Sequence, residues 1–339
     1  MAIDYKQAGV DVEAGDALVD WLQASGGKKA HADRVVSGIG GFASLFRIDF
    51  PQMKKPCLIT CTDGVGTKVK IASRFRRFEG VGQDLVAMCV NDLICCGGEP
   101  LQFLDYYAVG KLDLADAKAF LDSVRRACDE SDCALTGGET AEMPGVYQAG
   151  DFDCAGFAVG IVDQEDMLGP QRVRVGDVLI GVSSSGFHSN GYSLLRRLFE
   201  SDLEAWADEL LKPTALYVRL MKDLRQGHLV HAAAHITGGG IDNIPRALPE
   251  GTVADIGAWD FPPAFAEAQK RAGLDDLAMM KTLNCGIGFV LVAPSGNAAA
   301  VRAVIEKHRF RAYDLGQVVA AADRQAAADV RVRLKGEGR

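Results

Sequence analysis

The stretch Thr60-Cys61-Thr62-Asp63-Gly64-Val65-Gly66-Thr67-Lys68 follows an apolar run, Cys57-Leu58-Ile59, and its reading organises the rest of the chain. An extended apolar run that ends in an acid, two glycines, a hydroxyl and a lysine holds the groups a nucleotide phosphate needs. The carboxylate suits Mg²⁺, the bare amides suit phosphate oxygens, and the lysine adds one cation. Ligands of α/β folds collect at such strand ends. The Gly-x-x-x-x-Gly-Lys-[Ser/Thr] signature is absent, so this is not a Walker loop. Taken alone, the stretch also reads as a tight Asp-Gly turn with an exposed lysine.

Three further clusters tip the balance. Gly38-Ile39-Gly40-Gly41-Phe42, Gly137-Gly138-Glu139-Thr140 and Thr237-Gly238-Gly239-Gly240 again set backbone-exposing glycines beside polar side chains. Together they point to an enzyme that handles phosphate.

At 339 residues the chain fits two domains of ordinary size. A net charge of −8 argues against a nucleic-acid partner, which would call for a basic stripe. No signal-peptide pattern opens the chain, and no apolar run approaches the ~18 residues of a membrane span. The nine cysteines lie mostly in apolar runs without a Cys-x-x-Cys pair. They read as small buried hydrophobes in a reducing compartment, not as zinc ligands. The expected address is the cytoplasm, with no membrane partner.

Periodicity predicts a helix over Val12 to Ala24, capped by Asp11 and stopped by Gly26-Gly27. The segment from Gly26 to Gly41 reads as an arm or lid. Strands and helices then alternate: strand Cys57–Thr62, helix Gln83–Cys96, strand Phe103–Val109, helix Leu114–Cys128, and strands near Ala134–Leu135 and Phe152–Val162. The boundary falls within Asp163–Val175, dividing an amino-terminal domain, 1–168, from a carboxy-terminal one, 169–339. The second domain offers a strand at Val178–Val182, helices around Gly191–Phe199 and Thr214–Arg225, and a strand at Ala232–Ile236. A strand at Gly288–Val292, a helix at Asn297–His308 and terminal strands near Gln317–Val319 and Val330–Leu334 complete it. The expected class is α/β with α+β mixed sheets.

Within helix Gln83–Cys96, Asp92 shares a face with Leu85, Cys89 and Cys96, and the other faces are apolar too. A carboxylate in that setting needs a metal, an ion pair or a cap-type hydrogen bond. Glu139 and Glu142 could bind Mg²⁺, hydrogen-bond a ribose or amine, or sit in a surface loop. The loop Ser183 to Tyr192, with His188, Ser189 and Asn190, suits a phosphate at a helix start. A Ser–His nucleophilic pair is disfavoured because Gly-x-Ser-x-Gly is missing. Cys285 has no base nearby in sequence.

On these blocks the chain resembles the phosphoribosylformylglycinamidine cyclo-ligase (AIR synthetase) family. The matching segments are Tyr5-Lys6-x-Ala8-Gly9-Val10-Asp11, Gly40-Gly41-Phe42, Thr62 to Lys68, Asp84 to Asp92, Phe103 to Tyr107, Gly137 to Gly145, His188 to Leu194, Thr237 to Gly240 and Asn284-Cys285-Gly286. They run nearly end to end and in the family's order. The resemblance implies a two-domain ATP-binding superfamily fold whose amino-terminal domains pair strands across a homodimer. It implies an ATP-dependent ring closure of formylglycinamidine ribonucleotide to aminoimidazole ribonucleotide through an iminophosphate.

The family would assign catalytic roles to Asp63, Lys68, Asp92 and His188. ATP would meet Gly40, Gly41, Phe42, Asp63, Gly64, Thr67, Lys68, Gly137, Gly138 and Glu139. Mg²⁺ would be held by Asp63, Asn91, Asp92 and Glu139. The substrate would meet Glu142, His188, Ser189, Asn190, Gly238, Gly239 and Gly240. One departure is Gln23, where some relatives carry a lysine; Lys28 and Lys29 follow it. Among rivals, a selenide-activating dikinase would want a cysteine ahead of the glycine-rich arm, and none precedes Cys57. A thiamine-monophosphate kinase lacks the long blocks, and a non-catalytic nucleotide sensor has no need of a second polar loop set.

Overall fold

Helix α1 (Val12–Ala24) starts where the Asp11 carboxylate accepts from the Ala14 N–H at 3.2 Å, the capping bond its sequence predicts. The computed structural model describes residues 11–25, 30–39, 43–321 and 332–334. Gly40, Gly41, Phe42, Lys28 and Lys29 lie outside the described residues. Strands β1 (Val35–Ser37) and β2 (Leu45–Phe46) form a small antiparallel pair. The main sheet of the first unit holds β3 (Pro56–Gly64), β4 (Glu99–Val109), β5 (Ala134–Glu142) and β6 (Phe152–Asp163), in the order β3-β6-β4-β5. Only β4 and β5 run parallel, with α4 in the connection between them.

Three helices complete this layer: α2 (Lys68–Phe75), α3 (Val81–Cys95) and α4 (Leu114–Glu130). Asp113 caps α4 by accepting from the N–H groups of Ala115 and Asp116. Tyr107 stacks on Phe120 at 4.9 Å between ring centres, with Phe152 against both. Among the described residues the opposite face of the sheet is open at Leu58 and Phe157. Leu58 on β3 and Phe157 on β6 are 60% and 45% exposed, and β3 is an edge strand nine residues long.

The second half adds β7 (Val178–Ser183), α5 (Tyr192–Leu198), α6 (Leu203–Leu210), α7 (Val218–Gln226), β8 (Ala232–His235) and β9 (Thr252–Ile256). It continues with α8 (Pro263–Ala272), α9 (Asp276–Thr282), β10 (Ile287–Ala293), α10 (Ala298–Lys307), β11 (Ala312–Ala320) and β12 (Val332–Leu334). Its six strands run in the order β12-β9-β11-β7-β10-β8, antiparallel except for β12 beside β9. All seven residues of β10 are buried, as its unbroken apolar run requires of a strand covered on both faces.

The chain divides between Asp163 and Gln164, with two excursions that a cut into 1–168 and 169–339 does not contain. Residues 204–216 belong to the first unit, and 94–98 to the second. Helix α7 begins at Val218, later than the expected Thr214, because residues just before it are held by the first unit. Helices α2, α6, α8 and α9 and strand β9 escape the sequence reading. They are five to ten residues long, and pieces of that size gain their stability from packing more than from propensity.

Candidate active site

Lys68 opens α2 but turns inward. Its Nζ lies 2.7 Å from Asp84 Oδ2 and 2.9 Å from Oδ1, and it donates to the Lys212 carbonyl at 2.7 Å. Both side chains have no exposed surface. Asp84 Oδ1 also accepts from the N–H and the hydroxyl of Thr214, at 2.7 and 2.6 Å. Burial pulls the Lys68 ammonium below its ordinary pKa, and Asp84 pulls it back up. This corrects the expectation that Lys68 meets a phosphate: an ammonium enclosed with its own carboxylate is not presented to a ligand. The pair instead ties residues 212–214 to α2 and α3.

The buried acid of α3 is therefore Asp84, and Asp92 is only half-buried. Asn91 is fully buried and donates to the Ala215 carbonyl at 2.9 Å. Among the described residues no three His, Cys, Asp or Glu side chains cluster so as to hold a metal. The four-residue Mg²⁺ set of Asp63, Asn91, Asp92 and Glu139 is thus not assembled. Asn91 faces a backbone carbonyl, and Glu139 is exposed on β5, the opposite edge of the sheet from β3.

Asp63 and Asp92 do share a neighbourhood. Burial first and then the Asp92 charge push the Cys61 thiol up to about 12, with Asp63 adding to the effect; Cys89 is raised by burial and the same carboxylates. The Cys61 thiol reaches the Cys89 carbonyl at 3.1 Å, which places this corner of β3 on α3. The Gly64 N–H donates to Asp63 Oδ1 at 2.7 Å and orients that carboxylate. Gly64, Thr67, Gly137 and Gly138 keep part of their surface open to solvent. Glu142 is committed to backbone: it accepts from the N–H groups of Asp11 and Leu112 at 2.5 and 2.6 Å.

In the second unit the polar loops meet. His188 is buried, with its backbone in the left-handed region at φ 59°. Non-glycine residues there cost of order 1–3 kcal/mol and persist where the surroundings enforce them. Its Nε2 accepts from the Ser185 N–H at 3.3 Å, and its ring lies 6.3 Å from that of Tyr217. Asn284 organises the loop. Its Oδ1 accepts from the Ser184 hydroxyl at 3.2 Å and the Gly286 N–H at 2.9 Å, while its Nδ2 donates to the Gly186 carbonyl at 3.0 Å.

Asn190 Oδ1 sits 3.4 Å from where a β-carbon on Gly238 would stand, so the Ser189–Asn190 loop adjoins the triple glycine. Gly240 has φ 55°, and a β-carbon there would meet the Met280 carbonyl oxygen at 1.8 Å, which restricts the position to glycine. Asn243 holds the turn by donating to the carbonyls of Gly238 and Gly240, both at 3.0 Å. Cys285 is buried with its thiol pushed up to about 12 by burial, so it is no nucleophile. Sequence reasoning passed over Asp84 and Asn243. A lone acid or amide at the start of a helical turn carries no signal of its tertiary partner.

A glycine- and carboxylate-rich strand end on a mixed α/β unit, followed by a second α/β unit with a glycine-rich polar loop, defines the AIR synthase-related class. Residues 40–162 match the family model "AIR synthase related protein, N-terminal domain" and residues 174–328 its C-terminal counterpart. Solved structures with this fold include E. coli HypE, a hydrogenase maturation protein (TM-score 0.69, 20% identity, covering 96% of this chain and 94% of that one). HypE in complex with ATP is another (TM-score 0.68, 18% identity, 95% and 91%). The phosphoribosylformylglycinamidine cyclo-ligase of Xanthomonas campestris pv. campestris is 46% identical over 345 residues, spanning 97% of this chain and 99% of its own. That of Methylobacillus flagellatus is 44% identical over 329 residues, 94% of each. The chain belongs to the phosphoribosylformylglycinamidine cyclo-ligase family.

Proposed function

We propose that this protein closes the imidazole ring of aminoimidazole ribonucleotide from formylglycinamidine ribonucleotide at the expense of ATP. The observation that carries the reading is near-full-length similarity to cyclo-ligases through both units. The formyl oxygen attacks the γ-phosphorus; an O–P bond forms as the β,γ-bridge breaks and ADP leaves, and the formamide nitrogen gives up its proton to leave a C=N bond. The amidine nitrogen then attacks the iminophosphate carbon, a C–N bond forms, and phosphate departs as the nitrogen loses its proton.

Phosphoryl transfer asks mainly for positioning and charge neutralisation. Asp63 and Asp92 suit Mg²⁺, which takes one or two carboxylates and completes its shell with phosphates and water. Once bound, the ion neutralises triphosphate charge. The open amides around Gly64 would receive phosphate oxygens, and Gly137 and Gly138 would meet ATP. In the second unit, Ser189, Asn190 and the Gly238–Gly240 turn would take the substrate, with His188 oriented by Ser185 and Tyr217. The homodimer belongs to this reading as well: the exposed Leu58 and Phe157 supply an apolar face for a second copy, and β3 is an edge strand among the described residues. The test is phosphate release from ATP with formylglycinamidine ribonucleotide. ATP binding without substrate-stimulated turnover would sink the reading in favour of a nucleotide sensor.

A further inference from the structure

A cavity of about 330 Å³ lies in the first unit beneath α1, at the low end of the range for ligand pockets and suited to a base with its sugar. Helix α1 turns Gly15, Leu18 and Leu22 toward it, one stripe at helical spacing, and Leu121 of α4 also lines it. Glu142 pins the rim by holding the Asp11 N–H. Every ionisable residue along the wall is an acid, five in all, so the space does not suit a phosphate.

Asp105 of β4 lines this cavity with only 5% of its surface exposed. No group among the described residues other than its own backbone N–H donates to its carboxylate. Gly138, in register with Asp105 on β5, leaves the room it occupies: a β-carbon there would fall 2.3 Å from Asp105 Oδ1. Burial pushes the Asp105 carboxyl up to about 7, a penalty that an N–H donor from a bound ligand would relieve.

From this geometry we infer that Asp105 reads the exocyclic amino group of the adenine of ATP, with the base lying between the α1 leucines and Leu121. The inference rests on the ATP-dependent reading above. The recognised edge is H₂N–C=N, which the substrate's amidine also presents. The apolar walls favour the flat ring, and the test separates the two sources.

Calorimetric binding of MgATP, MgITP and the Mg²⁺ complex of N6,N6-dimethyl-ATP to the wild-type chain decides it without turnover. ITP turns an oxygen where ATP has the amino group and keeps an N1–H beside it, and the dimethyl analogue offers no N–H on that edge. The dimethyl analogue should therefore bind at least about tenfold more weakly than ATP, as expected when a buried polar group is left unpaired, and ITP by a smaller factor. In Asp105→Asn, whose amide can turn a donor to the ring nitrogen, the ratio of ATP to dimethyl-analogue binding should fall to within about threefold while the KM for formylglycinamidine ribonucleotide stays unchanged. Equal binding of the three nucleotides to the wild type overturns the assignment. So does an Asp105→Asn variant that keeps the ratio or shifts only the substrate KM, the latter pointing to the amidine. If Asp105→Asn does not fold, the wild-type analogue series decides alone. Failure of ATP to bind at all sinks the ATP-dependent reading together with this one, whereas binding without discrimination sinks this one only.

Discussion

Replacing Lys68 by alanine should destabilise the first unit by about 3–5 kcal/mol, the cost of leaving a buried charge without its partner. The structure supplies each part of that figure. Asp84 is fully enclosed and its Oδ2 faces Nζ at 2.7 Å, so the alanine variant leaves a buried carboxylate without its counter-charge. The Lys212 carbonyl loses its donor as well, at about 1 kcal/mol. Thr214 still donates twice to Asp84, which holds the total toward the lower end. The double variant Lys68→Met/Asp84→Asn removes both charges, keeps the volume, and leaves an amide oxygen for Thr214. It should lie within about 2 kcal/mol of the parent. Guanidinium unfolding followed by fluorescence reports the segment, because Trp206 lies on α6 in the stretch 204–216 that the pair anchors at 212–214. Trp21 and Trp259 are changed to phenylalanine for the measurement. A single variant that loses less than about 1 kcal/mol, or a double variant worse than the single, refutes the reasoning. A normally stable Lys68→Ala that no longer binds MgATP would return the lysine to the phosphates.

Three further outcomes are expected. Asp63→Ala and Asp92→Ala should each lower turnover by at least about 10²-fold with the fold intact, because uncompensated phosphate charge costs several kcal/mol in the transition state. Near-normal turnover in a folded variant removes that residue from the site. Leu58→Asp should shift a dimer toward monomer in sedimentation at micromolar concentration, since it sets a charge on the open face beside β3; an unchanged mass argues for a different interface. Asp105 should impose a pH slope on stability. Its folded pKa of about 7 exceeds the unfolded value near 3.9, so the native state binds the extra proton between them. The penalty is absent below about pH 4 and grows to roughly 4 kcal/mol by pH 7, three pKa units at 1.36 kcal/mol each. Asp105→Asn should flatten that slope, and parallel pH–stability curves for the two proteins would count against it.

Much of the fold is legible in one dimension. The Asp11 cap and the helix begun at Leu114 are local features, and the structure sets them where the sequence predicts. Strand β10 announces its burial by an unbroken apolar run. The acid at 63 and the glycines after it carry their own meaning, because a strand end with bare amides suits an anion whatever surrounds it. Asp92 drew attention through apolar neighbours on its helix. Burial depends on what packs from outside, however, and there the same helix hides Asp84 in its place.

The sequence by itself determined the alternating elements and the loops that carry polar chemistry, since each rests on spacing within a few residues, and its long blocks carried the resemblance to the family. Tertiary structure alone decided the use of Lys68, the return of residues 204–216 to the first unit and the enclosure of Asp105 under α1. In the first two cases the partner stands about 130 to 150 residues away, as Thr214 and Lys212 do from Asp84 and Lys68, and no local pattern records such a pairing. The enclosure of Asp105 likewise depends on α1, nearly a hundred residues earlier in the chain. Whether a charge meets solvent, a ligand or another charge is settled by what the completed fold brings against it.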